Sequence, residues 1–155
     1  MRFAAVQKVM GFLILSSSLM MLPPILVSFY YGDKEHLHFL SCALIFLFVG
    51  LAVFIPVRNE QRELQFRDGF LVVSSSWLLI VLVGAMPFVL VNSVNFSFVD
   101  AFFESMSGFT TTGSTIISDI DVLPQSLLYY RMQTQWLGGM GIIVLAVAVL
   151  PVLRV

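Results

Sequence analysis

This sequence predicts an all-α membrane protein with about four transmembrane helices and one shorter re-entrant helix followed by a loop. Three observations carry that expectation. Of the 155 residues, 59% are hydrophobic and 11% charged, and the mean hydropathy is +0.97; soluble domains carry about 25% charged residues. Four apolar runs of about 19–25 residues are each long enough to cross a hydrocarbon core of about 30 Å. Between the third and fourth runs lies a segment with about ten helical residues, or about 15 Å, which is half a membrane.

The first run spans about Val9 to Tyr31. Arg2 and Lys8 precede it as in a signal peptide, but it is longer than an h-region and no A-x-A-like site follows, so it reads as a retained helix. Pro23-Pro24 should kink or break it near Leu22. A polar hinge, Gly32 to His38, leads to the second run, about Phe39 to Val57. The most charged segment, Arg58 to Asp68, precedes the third run, about Gly69 to Val91, with Pro87 near its end. The last run covers about Ser126 to Leu150. Cys42 is the single cysteine, so no intrachain disulfide or cysteine-based metal site is expected. His36 and His38 form an isolated H-x-H, which is no metal site by itself.

Lys and Arg set the orientation. With the N-terminus inside, Arg2, Lys8, Arg58, Arg62, Arg67 and Arg154 lie inside, and Lys34 and Arg131 outside. Both termini are therefore expected to be cytoplasmic. The acids run the other way, with Asp33, Glu35, Asp100, Glu104, Asp119 and Asp121 outside against Glu60, Glu63 and Asp68 inside. An acidic mouth raises the local cation concentration, although loop solvation alone also accounts for such acids. With an even number of full spans, the segment from Ser97 to Ser114 must enter and leave on the same side.

In that segment Ser97 and Asp100 make a capping-box-like start, with the acid near the positive end of the helix dipole. The half-helix is expected over about 98–108, with Gly108 as a left-handed C-cap. Its negative end would point to mid-membrane and favour a cation there. Thr110, Thr111, Thr112, Gly113 and Ser114 follow, and a stack of backbone carbonyls from such a strand can replace the lost water of a potassium ion. A polar exposed loop is the plainer alternative for a Thr-Gly run met alone. Glu104 and Arg131 are charges at membrane depth, to be paired with each other or, for Arg131, snorkelled to the interface. In the last run Gly138, Gly139 and Gly141 remove side chains and suit either a seat for the half-helix or ordinary helix packing. Among the residues no nucleophile–base pair or metal constellation stands out, which argues against an enzyme.

Asp100-Ala-Phe-Phe-Glu-Ser-Met-Ser-Gly-Phe-Thr-Thr-Thr-Gly113, Tyr130-Arg131 and Gln135-Trp-Leu-Gly-Gly-Met-Gly141 continuing to Pro151 together resemble the Trk/Ktr potassium-transport superfamily, in particular its TrkH-type membrane subunits. The resemblance extends over essentially the whole chain. It implies residues 1–65 as an extra two-helix transmembrane pair and residues 66–155 as the first of four helix–pore-loop–helix repeats. It places the potassium-binding filter on Thr110, Thr111, Thr112, Gly113 and Ser114, and the reading of the residues above adds Glu104, Gly108, Arg131, Gly138, Gly139 and Gly141 as its supports. It also implies a bacterial inner membrane, a homodimer, a cytoplasmic nucleotide-binding regulatory subunit, potassium as substrate without a cofactor, and no nucleic acid. Members of the family are about three times longer, and the other filter strands, gating loop and gate residue have no counterpart here. The expectation is an N-terminal portion that does not conduct as a lone monomer. A homotetrameric channel, a truncated non-transporting product and a membrane scaffold are the rivals.

Overall fold

The computed structural model describes residues 3–59, 66–91 and 96–149, and the regular structure within them is helical. Helix α1 covers Phe3–Met20, α2 Leu22–Tyr31, α3 His36–Phe54, α4 Phe66–Leu90, α5 Phe98–Phe109 and α6 Gln125–Val149. Short 3-10 turns occupy Ile55–Val57 after α3 and Ile120–Val122 before α6. The boundary expected at residue 65 lies outside the described residues. So do Arg2, Glu60, Arg62, Glu63, residues 92–95, Leu150 and the segment from Pro151 onward that includes Arg154.

Among the described residues, three helical stretches are long and apolar enough to cross a membrane: Phe3–Tyr31, His36–Val57 and Leu71–Leu90. The fourth expected span forms as the 25-residue α6, but it does not join them. Gln125, Arg131, Gln133, Thr134 and Gln135 interrupt its first half, and the partners of several of these explain why they are there. Three apolar helices of this length fit a multi-pass membrane protein.

The diproline breaks the first span at Met21, one residue from the expected point, and α2 starts with Pro at its first turn. Proline has no N–H, so Pro24 cannot donate to the carbonyl of Met20 four residues back. An unpaired carbonyl in hydrocarbon costs several kcal/mol. Gln133 of α6 supplies the missing donor, its Nε2 lying 3.1 Å from Met20 O.

Packing radiates from two contacts. Helix α1 lies chiefly along α3, and Gly11 and Gly50 bring the two backbones together: a Cβ at Gly11 would stand 2.9 Å from Phe54 Cα, and one at Gly50 2.9 Å from Leu15 N. Helix α5 is wedged between α4 and α6, which hardly touch each other directly. Phe39, Phe88 and Tyr130 meet near the centre, with Tyr130 5.8 Å from Phe39 and 5.4 Å from Phe88 between ring centroids. The Tyr130 hydroxyl donates to Gly84 O at 2.9 Å, which satisfies a buried polar group while joining α6 to α4.

The turn after α2 is bound to the start of α6. Gly32 caps α2 in the left-handed conformation, with φ of 68°, and its N–H donates to Ser28 O at 2.9 Å. Asp33 then accepts from the Ser28 hydroxyl, from Glu35 N at 3.2 Å and from Ser126 N at 2.9 Å. Burial pushes the Asp33 carboxyl up. The side chains of Ser126 and Ser28 and the backbone amides of Ser126 and Glu35 outweigh it and hold the carboxyl below its ordinary 3.8. The Ser126 hydroxyl sits beside the carboxylate without a formed hydrogen bond, so the amide is the firmer contact.

A carboxyl held below its ordinary value stabilises the fold fully above pH 3.8 and loses that contribution as pH falls through the lowered value. Asp33→Ala should therefore cost about 1–2 kcal/mol at pH 7 through the lost hydrogen bonds. Thermal unfolding of purified protein in detergent should show the gap to the parent closing below pH 3.8 and constant well above it.

Candidate functional site

Helix α5 is 12 residues long, about 18 Å at 1.5 Å per residue, too short to span. Its start is a complete capping box. The Ser97 hydroxyl accepts from Asp100 N at 3.2 Å, and Asp100 accepts from Ser97 N at 3.1 Å. Ser105, fully buried, donates to Val81 O of α4 at 2.8 Å and fixes the helix laterally.

The helix ends differently from expectation. Gly108 is not a left-handed C-cap: α5 continues through Phe109, and Thr110 is the cap with φ of −83°. The left-handed residue is Thr111, with φ of 57°. Gly108 is instead required by space, because a Cβ there would overlap the Thr134 hydroxyl of α6. A β-branched residue in the left-handed region is strained by about 1–2 kcal/mol. Thr111 is held there by its N–H, which donates to Gly108 O at 2.9 Å.

The loop then turns back along the helix end. Thr112 N and Gly113 N both donate to Ser107 O, at 3.0 and 3.4 Å. The Thr110 hydroxyl donates to Met106 O at 2.7 Å and lies 2.8 Å from the Thr112 hydroxyl. Gly113 adopts φ of 76°, where a side chain is strained. Thr110 through Ser114 are exposed. Among the described residues, no hydrogen bond ends on the carbonyls of Thr111, Thr112 or Gly113.

Glu104 anchors the returning strand. It is 1% exposed, and one carboxylate oxygen accepts from the Thr115 hydroxyl at 2.6 Å and from Ile116 N at 2.8 Å. The other accepts from Arg131 Nε at 3.1 Å. Arg131 is thus paired inside the protein rather than extended to the interface. Thr115 and Ile116 carry no sequence mark of this role.

The three glycines of α6 separate. A Cβ at Gly138 would overlap the Phe109 carbonyl, so this position seats the end of α5. One at Gly139 would only touch the Thr111 methyl at an ordinary 3.6 Å, and one at Gly141 would meet nothing within 4 Å. Gly138 and Gly141 do share an apolar groove of about 380 Å³ with residues of α1 and α4.

Residues 36–154 match the family model described as TrkH, cation transport protein. The chain belongs to the TrkH family. It is 44% identical over 155 residues to the Trk system potassium uptake protein TrkH of Halomonas elongata, covering 100% of this chain and 32% of that protein. The same identity and coverage relate it to TrkH of Escherichia coli. The crystal structure of the potassium transporter TrkH from Vibrio parahaemolyticus superimposes with a TM-score of 0.93 at 44% identity, covering 100% of this chain and 33% of that one. The chain spans about a third of the length of these TrkH relatives.

Two substitution sets test how the site is held. Gly138→Ala should destabilise by about 1–3 kcal/mol through overpacking, whereas Gly141→Ala should be neutral or stabilise by up to about 1 kcal/mol; thermal unfolding in detergent separates them. Glu104→Gln or Arg131→Gln should each cost about 3–5 kcal/mol by leaving a buried charge unpaired. The double variant should cost clearly less than the sum in a double-mutant cycle.

Proposed function

We propose that this chain supplies one strand of a potassium-selective path in a TrkH-type uptake subunit. In this reading residues 66–155 are a helix–pore-loop–helix unit, α4, α5 with its loop, and α6, and residues 1–65 are a helix pair packed beside it. Both termini are cytoplasmic, α5 enters from the outside of a bacterial inner membrane, and further repeats of the same protein complete the ring of carbonyls. A homodimer and a cytoplasmic nucleotide-binding regulatory subunit follow from the family resemblance. Potassium is the transported ion, in keeping with the TrkH relatives, which are potassium uptake proteins.

The carrying observation is the set of carbonyls on Thr111, Thr112 and Gly113 that no hydrogen bond among the described residues uses. A trans peptide sets C=O opposite N–H. Because the N–H groups of Thr112 and Gly113 turn to Ser107 O, the carbonyls of Thr111 and Thr112 turn the other way, toward the exposed face. At membrane depth such carbonyls need a partner, and a desolvated cation provides one. The α5 C-terminus adds the negative end of its dipole beneath them. One strand is about a quarter of a fourfold cage, so the chain alone is not expected to conduct.

Rubidium uptake in a potassium-uptake-deficient strain tests the assignment, with the complete uptake protein expressed. Gly113→Asp should reduce uptake by more than about tenfold, since it places a side chain and a charge on a backbone at φ of 76°. Unchanged uptake and selectivity would remove the loop from the ion path.

A further inference from the structure

Ser107 touches three successive residues of the loop. Its carbonyl accepts from Thr112 N and Gly113 N, at 3.0 and 3.4 Å. Its hydroxyl donates to Ser114 O at 2.6 Å. The residue is 5% exposed and sits in the last turns of α5, so the Ser114 carbonyl is drawn back toward the helix. The carbonyls of Thr111, Thr112 and Gly113 are left as those that no hydrogen bond among the described residues engages.

We propose that Ser107 is a positioning residue for selectivity, whose hydroxyl withholds the Ser114 carbonyl from the ion path and so limits this strand to the carbonyls of Thr111, Thr112 and Gly113. The proposal rests on the reading of the loop as a filter strand. The physical basis is a division of labour within one residue. The Ser107 carbonyl aims two peptide planes outward by capturing their N–H groups. The hydroxyl aims the Ser114 carbonyl inward. Without the hydroxyl, no hydrogen bond among the described residues ends on the Ser114 carbonyl, and its peptide plane can turn about ψ of Ser114 and φ of Thr115. A carbonyl that moves in and out of the path alters the number and field of the ligands seen by the ion, which is what distinguishes potassium from sodium.

Neighbouring Ser105 provides the control. It lies two residues earlier on the same helix, is fully buried, and donates its hydroxyl to Val81 O of α4 at 2.8 Å rather than to the loop. Ser105→Ala removes a comparable buried hydrogen bond without touching the filter strand.

The experiment measures potassium and rubidium uptake, and inhibition by sodium, for the complete uptake protein in a potassium-uptake-deficient strain, with membrane protein quantified by immunoblot. Ser107→Ala should raise KM for potassium about three- to tenfold and lower the preference over sodium by a similar factor, with maximal rate within about twofold of the parent. Ser107→Thr, which keeps the hydroxyl, should restore both values, and Ser105→Ala should leave the preference over sodium unchanged. If Ser107→Ala keeps the parent KM and selectivity while Gly113→Asp abolishes uptake, Ser107 has no positioning role and the filter reading stands. If Ser105→Ala shifts selectivity as much as Ser107→Ala, the effect is that of a loosened helix and the proposal fails. If Gly113→Asp also leaves uptake unchanged, the filter reading fails and this inference goes with it.

Discussion

A carboxylate with no access to water governs this structure. Glu104 sits on a helix too short to cross a membrane, and its charge has to be neutralised by protein. Three donors meet it: the Arg131 guanidinium, the Thr115 hydroxyl and the Ile116 amide. They come from the last helix and from the strand that leaves the loop. One side chain therefore sets the lateral place of α5, the rotation of α6 and the return path of the backbone. The loop between Thr110 and Ser114 is suspended between that clamp and the helix end.

The second constraint is the scarcity of side chains where α5 meets α6. Gly108 yields to Thr134, and Gly138 yields to the Phe109 carbonyl. Each removes one Cβ on one partner, and the helices close over the gaps. This is why α6 can be polar in its first half and still pack: Arg131 has Glu104, Gln133 has the Met20 carbonyl left orphaned by Pro24, and the Thr134 hydroxyl donates to Arg131 O at 2.7 Å. Arg131 and Gln133 thus answer needs of neighbouring elements, while the Thr134 bond stays within α6.

The helices were legible because hydrophobic length and proline act locally. Pro23-Pro24 marked the break at Met21, and Ser97 with Asp100 marked the start of α5, since a cap and a kink involve residues a few positions apart. Features set by distant partners were not legible in the same way. A glycine near a helix end suits a left-handed cap or a close approach, and Gly108 could be assigned only once Thr134 was seen beside it. Thr111 takes the left-handed conformation against its own preference, which no propensity would suggest. Gly138, Gly139 and Gly141 look equivalent in sequence, yet only the first meets backbone. The Asp33–Ser126 tie joins residues 93 positions apart, beyond any local pattern. Glu104 and Arg131 were visible as a pair of misplaced charges, but Thr115 and Ile116 were ordinary residues until the fold brought them to the carboxylate.

The fastenings of the loop also differ in how far along the chain they reach. Those from Ser107 reach at most seven residues ahead, and the two from Glu104 to the strand reach 11 and 12. Closing loops of this size costs little entropy and is fast. Arg131 stands 27 residues beyond Glu104. The shape of the turn is therefore fixed by near neighbours, while its placement against α6 depends on the more distant charge pair.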